Sequence, residues 1–199
     1  MSLDAKQALS FIGPLRRKAT TFLVGGRETN LALSRCMASA AARAGSCTIL
    51  DLDAFYSSNA DEVMGELTPR EQGAVRILVP TAGSEVERPL SRLCASSSEV
   101  MIVDSLNTLY HMLSSADGGP RGRKVGFAIE ALSYASRTQG KAALLMMYRR
   151  EGPSRSGSGR PISHLSDVTA SATLEGPTLK FRCERGEAWP GGEFSIRSP

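Results

Sequence analysis

The chain has 199 residues and a mass of 21.2 kDa, enough for one well-buried core and too short for two ordinary domains. Its 41% hydrophobic and 22% charged residues are typical of a folded, soluble protein. The 24 basic and 20 acidic residues leave a net charge of +4, which permits a polyanionic partner without requiring one.

The cysteines and the apolar runs exclude several other classes of protein. Cys36, Cys47, Cys94 and Cys183 are widely spaced and form no CxxC pair, so we expect neither a disulfide scaffold nor a zinc site. Buried, reduced thiols are expected instead. No apolar run approaches the roughly 20 residues of a membrane span, and the first residues have no secretory character. We therefore expect a cytoplasmic protein with no membrane partner and no bound metal.

Apolar runs alternate along the chain with amphipathic helical stretches. The predicted strands of this part are, in chain order, Thr20–Val24, Cys47–Asp53, Ala74–Pro80, Val100–Asp104 and Ala142–Tyr148. The predicted helices are Asn30–Ala44, a short helix with Asn59 and Glu62 as its capping box, Ser84–Ala95 and Lys124–Gln139. This alternation predicts an α/β fold with a mostly parallel central sheet flanked by helices.

The last third of the chain has a different pattern. Residues 149–161 are rich in Gly, Ser, Pro and Arg without periodicity, which predicts a loop. Short predicted strands follow at Val168–Leu174, Thr178–Cys183 and Phe194–Arg197. Turn signals separate them and predict antiparallel hairpins. We expect residues 1–199 to form a single domain, in which Trp189 is a packing residue or edge anchor.

The end of the first strand has the outline of a phosphate-binding loop without its chemistry. Ligand sites in parallel sheets lie at the carboxyl ends of strands, and here Gly25 and Gly26 lead into a helix. A working loop follows the pattern GxxxxGK[ST], in which Lys contacts phosphate and the hydroxyl ligates Mg²⁺. Asn30 replaces the second Gly, and because Asn tolerates a left-handed backbone the turn can be retained. Leu31 and Ala32 replace the Lys and the Ser or Thr.

Acidic residues end two further strands. Asp104 follows four apolar residues, a pattern that suits an acid holding a magnesium-bound water. Asp51 and Asp53 end the second strand, where a carboxylate can orient an attacking water. Each of these acids taken alone is better explained by a structural role. Their positions at the ends of neighbouring strands favour a vestigial nucleotide site.

Three segments carry a resemblance to a known family. They are Thr21–Gly26 (TFLVGG), Thr48–Tyr56 (TILDLDAFY) and Met101–Tyr110 (MIVDSLNTLY). In this order they resemble the ATPase core of the RecA/RadA recombinases, with the archaeal and eukaryotic paralogs as the nearest branch. KaiC-like proteins share this core.

The resemblance implies a RecA-like P-loop NTPase core with C-terminal antiparallel hairpins. It places the family's magnesium-side aspartate at Asp104, and its catalytic glutamate at Asp53, one methylene shorter. It also implies that the family's N-terminal regions are missing or reduced to about a helix. Without the loop lysine we expect no ATP turnover and no cofactor, unless ATP and Mg²⁺ still bind weakly. The residues for such binding are Gly25, Gly26, Arg27, Thr29 and Asn30.

The same resemblance implies that two loops contact single-stranded DNA. The corresponding segments are residues 114–124 and 149–161, whose basic residues are Arg121, Arg123, Lys124, Arg149, Arg150, Arg155 and Arg160. Flexible basic loops track phosphates and bind DNA in a salt-dependent manner. They lack stacking aromatics apart from Tyr148 at one edge, so little sequence preference is expected. The alternative is that these charges merely solvate the loops.

Three hypotheses of function follow. The first is a recombinase paralog of homologous recombination and DNA repair, which binds single-stranded DNA, a RecA/RadA-type recombinase, or both, and which can also form homo-oligomers. The second is a slow ATPase that uses Arg27 or a lysine supplied by a partner; Arg35 lies one helical turn beyond Leu31 and points away. The third is a KaiC-like signalling or scaffold module without DNA binding.

Overall fold

An eight-stranded sheet forms the centre of the computed structural model, which describes residues 5–16, 20–80, 86–115, 123–149 and 165–197. The strands are β1 (Thr21–Gly25), β2 (Cys47–Asp51), β3 (Val75–Leu78), β4 (Val100–Asp104), β5 (Ala142–Tyr148), β6 (Val168–Glu175), β7 (Thr178–Arg185) and β8 (Glu193–Arg197). Their order across the sheet is β3-β2-β4-β5-β1-β6-β7-β8. The first six in this order are parallel, and β7 and β8 are antiparallel. The predicted mostly parallel sheet with C-terminal hairpins is confirmed.

Helices cover both faces of the sheet. They are α1 (Ala5–Leu15), α2 (Asn30–Ala44), α3 (Phe55–Ser58), α4 (Ala60–Met64), α5 (Pro69–Gly73), α6 (Glu87–Cys94), α7 (Leu106–Ser115) and α8 (Arg123–Gln139). Successive residues of a strand point to opposite faces, so that Ile102 packs with α1 and α2 while Val103 packs with α6, α7 and α8. Every residue of β1, β2 and β4 is buried, as expected of parallel strands covered on both faces.

Two predicted helix and strand ends were wrong for local reasons. Asn59 does not cap α4, because its side-chain amide donates instead to the carbonyl oxygen of Phe55 at 2.9 Å. The capping box is formed by Thr68 and Glu71 at the start of α5. Strand β2 ends at Asp51 rather than Asp53, because the Asp51 carboxylate accepts hydrogen bonds from the backbone that follows.

An aromatic cluster joins α1 to the C-terminal strands. The ring of Trp189 stacks on Phe11 with centroids 5.3 Å apart, and Phe181 and Phe194 pack around them. The indole Nε1 donates to the carbonyl oxygen of Phe11 at 3.2 Å. Trp189 is 5% exposed, which confirms the prediction that it is a packing residue.

The cysteines are free thiols. Cys36 and Cys47 are buried and Cys94 and Cys183 are half-buried. Burial raises the pKa of the Cys36 thiol to about 12, so this side chain behaves as a small apolar group. Among the described residues, no helix has the length and apolar content needed to cross a membrane.

Candidate functional site

The loop after β1 is closed by its own hydrogen bonds. Residues Arg27–Thr29 form a 3₁₀ turn that runs directly into α2. Both the backbone N–H and the hydroxyl of Thr29 donate to the carbonyl oxygen of Gly26, at 3.2 and 2.7 Å. Thr29 is fully buried. In a phosphate-binding loop the backbone N–H groups point at the ligand, whereas here the N–H of Thr29 is bonded within the loop.

Gly25 is needed for this closed loop. A Cβ atom at Gly25 would lie 2.5 Å from the Thr29 hydroxyl oxygen, so only glycine permits the close approach. The expected left-handed backbone at Asn30 is absent, because Asn30 is the first residue of α2. Among the described non-glycine residues, positive φ occurs at Ala54 and not at Asn30.

The side chains of Leu31 and Ala32 carry neither the charge nor the hydroxyl of a phosphate-binding loop. Leu31, in the position of the lysine, packs against the core that α1 and α2 share with the sheet. Ala32 is buried in that core. Arg35 donates to the carbonyl oxygen of Glu62, so it is directed away from the loop as predicted. The side chain of Arg27 lies outside the described part of the structure.

The two acids that follow β2 have different environments. Asp51 is fully buried, and its carboxylate accepts hydrogen bonds from the backbone N–H of Phe55 at 2.8 Å and of Ser57 at 2.9 Å. It therefore holds the first turn of α3, a structural role. Asp53 is exposed and accepts hydrogen bonds from the hydroxyls of Ser105, at 2.7 Å, and Thr108.

Asp104 lies at the centre of the site and is 1% exposed. Its Oδ2 accepts a hydrogen bond from the hydroxyl of Tyr148 at 3.2 Å, and its Oδ1 is buried with no partner among the described residues. Burial, followed by the nearby charges of Asp53 and Asp51, raises the pKa of the Asp104 carboxyl to about 7. Strands β2 and β4 are neighbours in the sheet, and their register places Asp51 opposite Asp104. Asp53 lies two residues beyond the end of β2 and is joined to the residue after Asp104 by the hydrogen bond from Ser105.

Tyr148 was assigned by sequence to the edge of a DNA-binding loop, and the structure places it in this site instead. Its backbone is clamped by Asn107, whose side chain accepts from the Tyr148 N–H at 2.9 Å and donates to its carbonyl oxygen at 3.2 Å. Burial and the Asp104 charge raise the pKa of the Tyr148 phenol far above its usual range, so it remains a neutral donor. The phenol of Tyr148 thus contacts Asp104, the carboxylate that the resemblance to the recombinases places beside magnesium.

Sequence reasoning missed the polar partners of these acids. Ser105, Thr108 and Asn107 follow β4 in the motif SLNT, and all three side chains bond to Asp53 or Tyr148. The available signal was the cluster of hydroxyl and amide residues directly after a strand end. No group of three or more His, Cys, Asp or Glu side chains in the described ranges is arranged to hold a metal ion.

The predicted DNA-contacting residues are only partly described. Arg123 and Lys124 are exposed, but they belong to the first turn of α8 rather than to a loop. They directly precede Val125, the first buried residue of the helix. Arg149 is exposed and forms an ion pair with Glu184 at 3.2 Å. The remaining predicted residues, Arg121, Arg150, Arg155 and Arg160, lie outside the described residues.

Comparisons with known proteins bear on the fold. No protein-family model matches the chain, and no curated protein matches it in sequence. Among solved structures, 489 chains match, so the fold is populous and does not by itself assign a function. One of them is the crystal structure of the RadB recombinase, with a TM-score of 0.67 and 11% sequence identity over 90% of this chain and 87% of that one. The chain therefore has a RecA-like recombinase fold.

Proposed function

We propose that this chain is an accessory recombinase paralog that does not hydrolyse ATP and that binds single-stranded DNA, a RecA/RadA-type recombinase, or both. The observation that carries the proposal is that two polar groups of the candidate nucleotide site, one on each side of it, are occupied by hydrogen bonds within the protein. Thr29 donates to Gly26, and Tyr148 donates to Asp104. A protein that retains the fold while its site is closed in this way acts through its surfaces.

Two features on the phosphate side of the site support the absence of ATP hydrolysis. Leu31 supplies no charge-assisted contact, and such contacts are the strong ones in phosphate binding. The buried Thr29 hydroxyl already has an acceptor within the loop. The backbone N–H of Thr29 is bonded to the same carbonyl oxygen, so neither group of Thr29 points freely out of the loop.

A second candidate, a slow ATPase or weak nucleotide binder, is favoured by one observation. Asp104 Oδ1 is a buried oxygen without a partner, and such an atom suits a cation or an ordered water. The two candidates are separated by measuring ATP hydrolysis and the binding of a fluorescent ATP analogue with Mg²⁺. We expect no signal above a blank. Hydrolysis that Asp104→Ala abolishes would establish the second candidate and contradict the first.

The DNA half of the proposal is supported by exposed basic residues on α8 and after β5. It is tested by fluorescence anisotropy with a labelled 20-nucleotide dT strand at several salt concentrations. We expect binding that weakens steeply with salt, and Arg149→Ala should reduce the salt slope by about one. The matched control is Arg76→Ala, an exposed arginine on the distant edge strand β3. Absence of binding at low salt would remove DNA from the proposal.

The partner half rests on the shared fold with a recombinase. Sedimentation of the protein with assembled filaments of a RecA/RadA-type recombinase tests it. Co-sedimentation that exceeds the signal with bovine albumin is the expected result. Failure to bind both the filament and DNA would favour a KaiC-like scaffold role.

A further inference from the structure

Two aromatic rings project from the outer face of α8. Phe127 is 74% exposed and Tyr134 is 71% exposed. They are seven residues apart, so they lie on the same face of the helix, about 10 Å apart along its axis. The other large apolar side chains that are described as exposed reach 51% at Leu9 and less elsewhere.

The two rings do not contribute to the packing of α8. Val125, Ile129 and Leu132 bury the inner face of the helix against the sheet. A third face is held by Ser133, which bonds to Thr20. These faces hold the helix in place, so polar residues at positions 127 and 134 would serve the fold equally well.

The charges around the rings favour an anionic partner. Arg123 and Lys124 lie in the first turn of α8 and Arg137 lies in its last turn, whereas Glu130 is the acid between them. Arg137 pairs with Asp167 at 3.3 Å, so the positive charge is concentrated at the start of the helix, where it attracts the phosphates of a strand that lies along the rings.

A symmetric dimer formed through α8 fits this surface poorly. An antiparallel pairing of two α8 helices that places Phe127 against Tyr134 also places Lys124 near Arg137, and like charges in contact disfavour such a pairing. The apolar area is small as well. Two aromatic side chains offer about 300 Å², while a stable protein interface buries roughly 800 Å² on each partner.

We propose that the α8 aromatic face, made of Arg123, Phe127, Tyr134 and Arg137, is a stacking platform for the bases of single-stranded DNA. The rings take the faces of two bases and Arg123 takes a phosphate of the same strand. Arg137 reaches a second phosphate by exchanging its exposed ion pair with Asp167. This inference rests on the proposed DNA binding and specifies where the bases go. It also supplies the stacking aromatics that the two basic segments lack, because α8 begins where the first of these segments ends.

The test compares two labelled strands of equal length and charge, one of dT and one abasic, in anisotropy titrations at fixed salt. The wild-type protein should bind the dT strand more tightly, by about 5- to 150-fold for each stacked base. The double variant Phe127→Ala/Tyr134→Ala should bind both strands equally and should keep the salt slope of the wild type. Phe127→Trp should retain the preference for dT, and Leu174→Ala is the control for an exposed apolar side chain on β6.

The failure of this inference is distinguishable from the failure of the proposed function. If the wild type and the double variant bind dT equally, or if the double variant loses affinity for both strands alike, base stacking on α8 is overturned and DNA binding stands. If the wild type does not bind dT at low salt, both are overturned. Melting curves of the variants should match the wild type, because the substituted side chains are exposed.

Discussion

Replacing Asp104 by Asn should change how the stability of the protein depends on pH. The folded protein holds the Asp104 proton with a pKa of about 7, against 3.8 for an ordinary aspartate. Because the folded state binds this proton more tightly than the unfolded chain, the free energy of unfolding falls as the pH rises from about 4 to about 7. Asp104→Asn carries no such proton, so its stability lacks this decline.

The size of the stability change follows from the difference between the two pKa values. At about 1.4 kcal/mol for each pH unit, an ionised Asp104 costs the folded state about 4 kcal/mol, of which about 2 kcal/mol develops between pH 5.5 and pH 8. The amide oxygen of Asn still accepts from Tyr148, while its NH₂ group occupies the place of the unpartnered Oδ1. That buried donor costs about 1–3 kcal/mol at every pH, so the slope with pH is the diagnostic quantity.

The assay is urea unfolding of the two proteins, with EDTA present, from pH 5.5 to pH 8. The stability of Asp104→Asn relative to the wild type should rise by about 2 kcal/mol across this range. The control is Asp61→Asn, which changes an exposed carboxylate on α4. Parallel curves for Asp104→Asn and the wild type would refute the reasoning that Asp104 is held protonated by burial.

Three further substitutions test other contacts of the fold. Tyr148→Phe removes the donor to Asp104 and should lower the free energy of unfolding by about 1–2 kcal/mol at pH 8. The loss should be smaller at pH 5, where Asp104 is protonated, and equal losses at both pH values in urea titrations would argue against this bond. Gly25→Ala should destabilise the protein by about 1–3 kcal/mol. The loss should be less than half as large in a Thr29→Ala background, since the Thr29 hydroxyl is the clashing atom, and identical losses in both backgrounds would locate the strain elsewhere. Trp189→Phe should cost about 1–3 kcal/mol and should expose α1 to limited proteolysis, a result that an unchanged digestion pattern would contradict.

The strands and long helices could be predicted because their signals are local. Val100–Asp104 and Ala142–Tyr148 have the predicted bounds, since each is an apolar run that both faces of the sheet bury. The start of α2 at Asn30 and the C-terminal hairpins follow in the same way from periodicity and turn residues. Errors arose where one side chain had two possible partners, as at Asn59, which bonds backward to Phe55.

The site was less predictable because its contacts join distant parts of the chain. The pairing of Tyr148 with Asp104 depends on β5 lying beside β4, which no local pattern specifies. The Thr29 bond depends on a 3₁₀ turn in place of a left-handed residue. The exposure of Phe127 was hidden for a different reason, since an aromatic residue at helical spacing is ordinarily a core residue.

The contact between Trp189 and Phe11 spans 178 positions of the chain. A nascent chain leaves the ribosome N-terminus first, at about 5–20 residues per second. The apolar face of α1 therefore emerges many seconds before the Trp189 side of its binding surface exists. Until then α1 can pack on α2, which shares its core cluster, but Phe11 lacks the ring that stacks on it. Pairings of such long sequence separation also slow folding, so we expect the contact between Phe11 and Trp189 to form among the last steps.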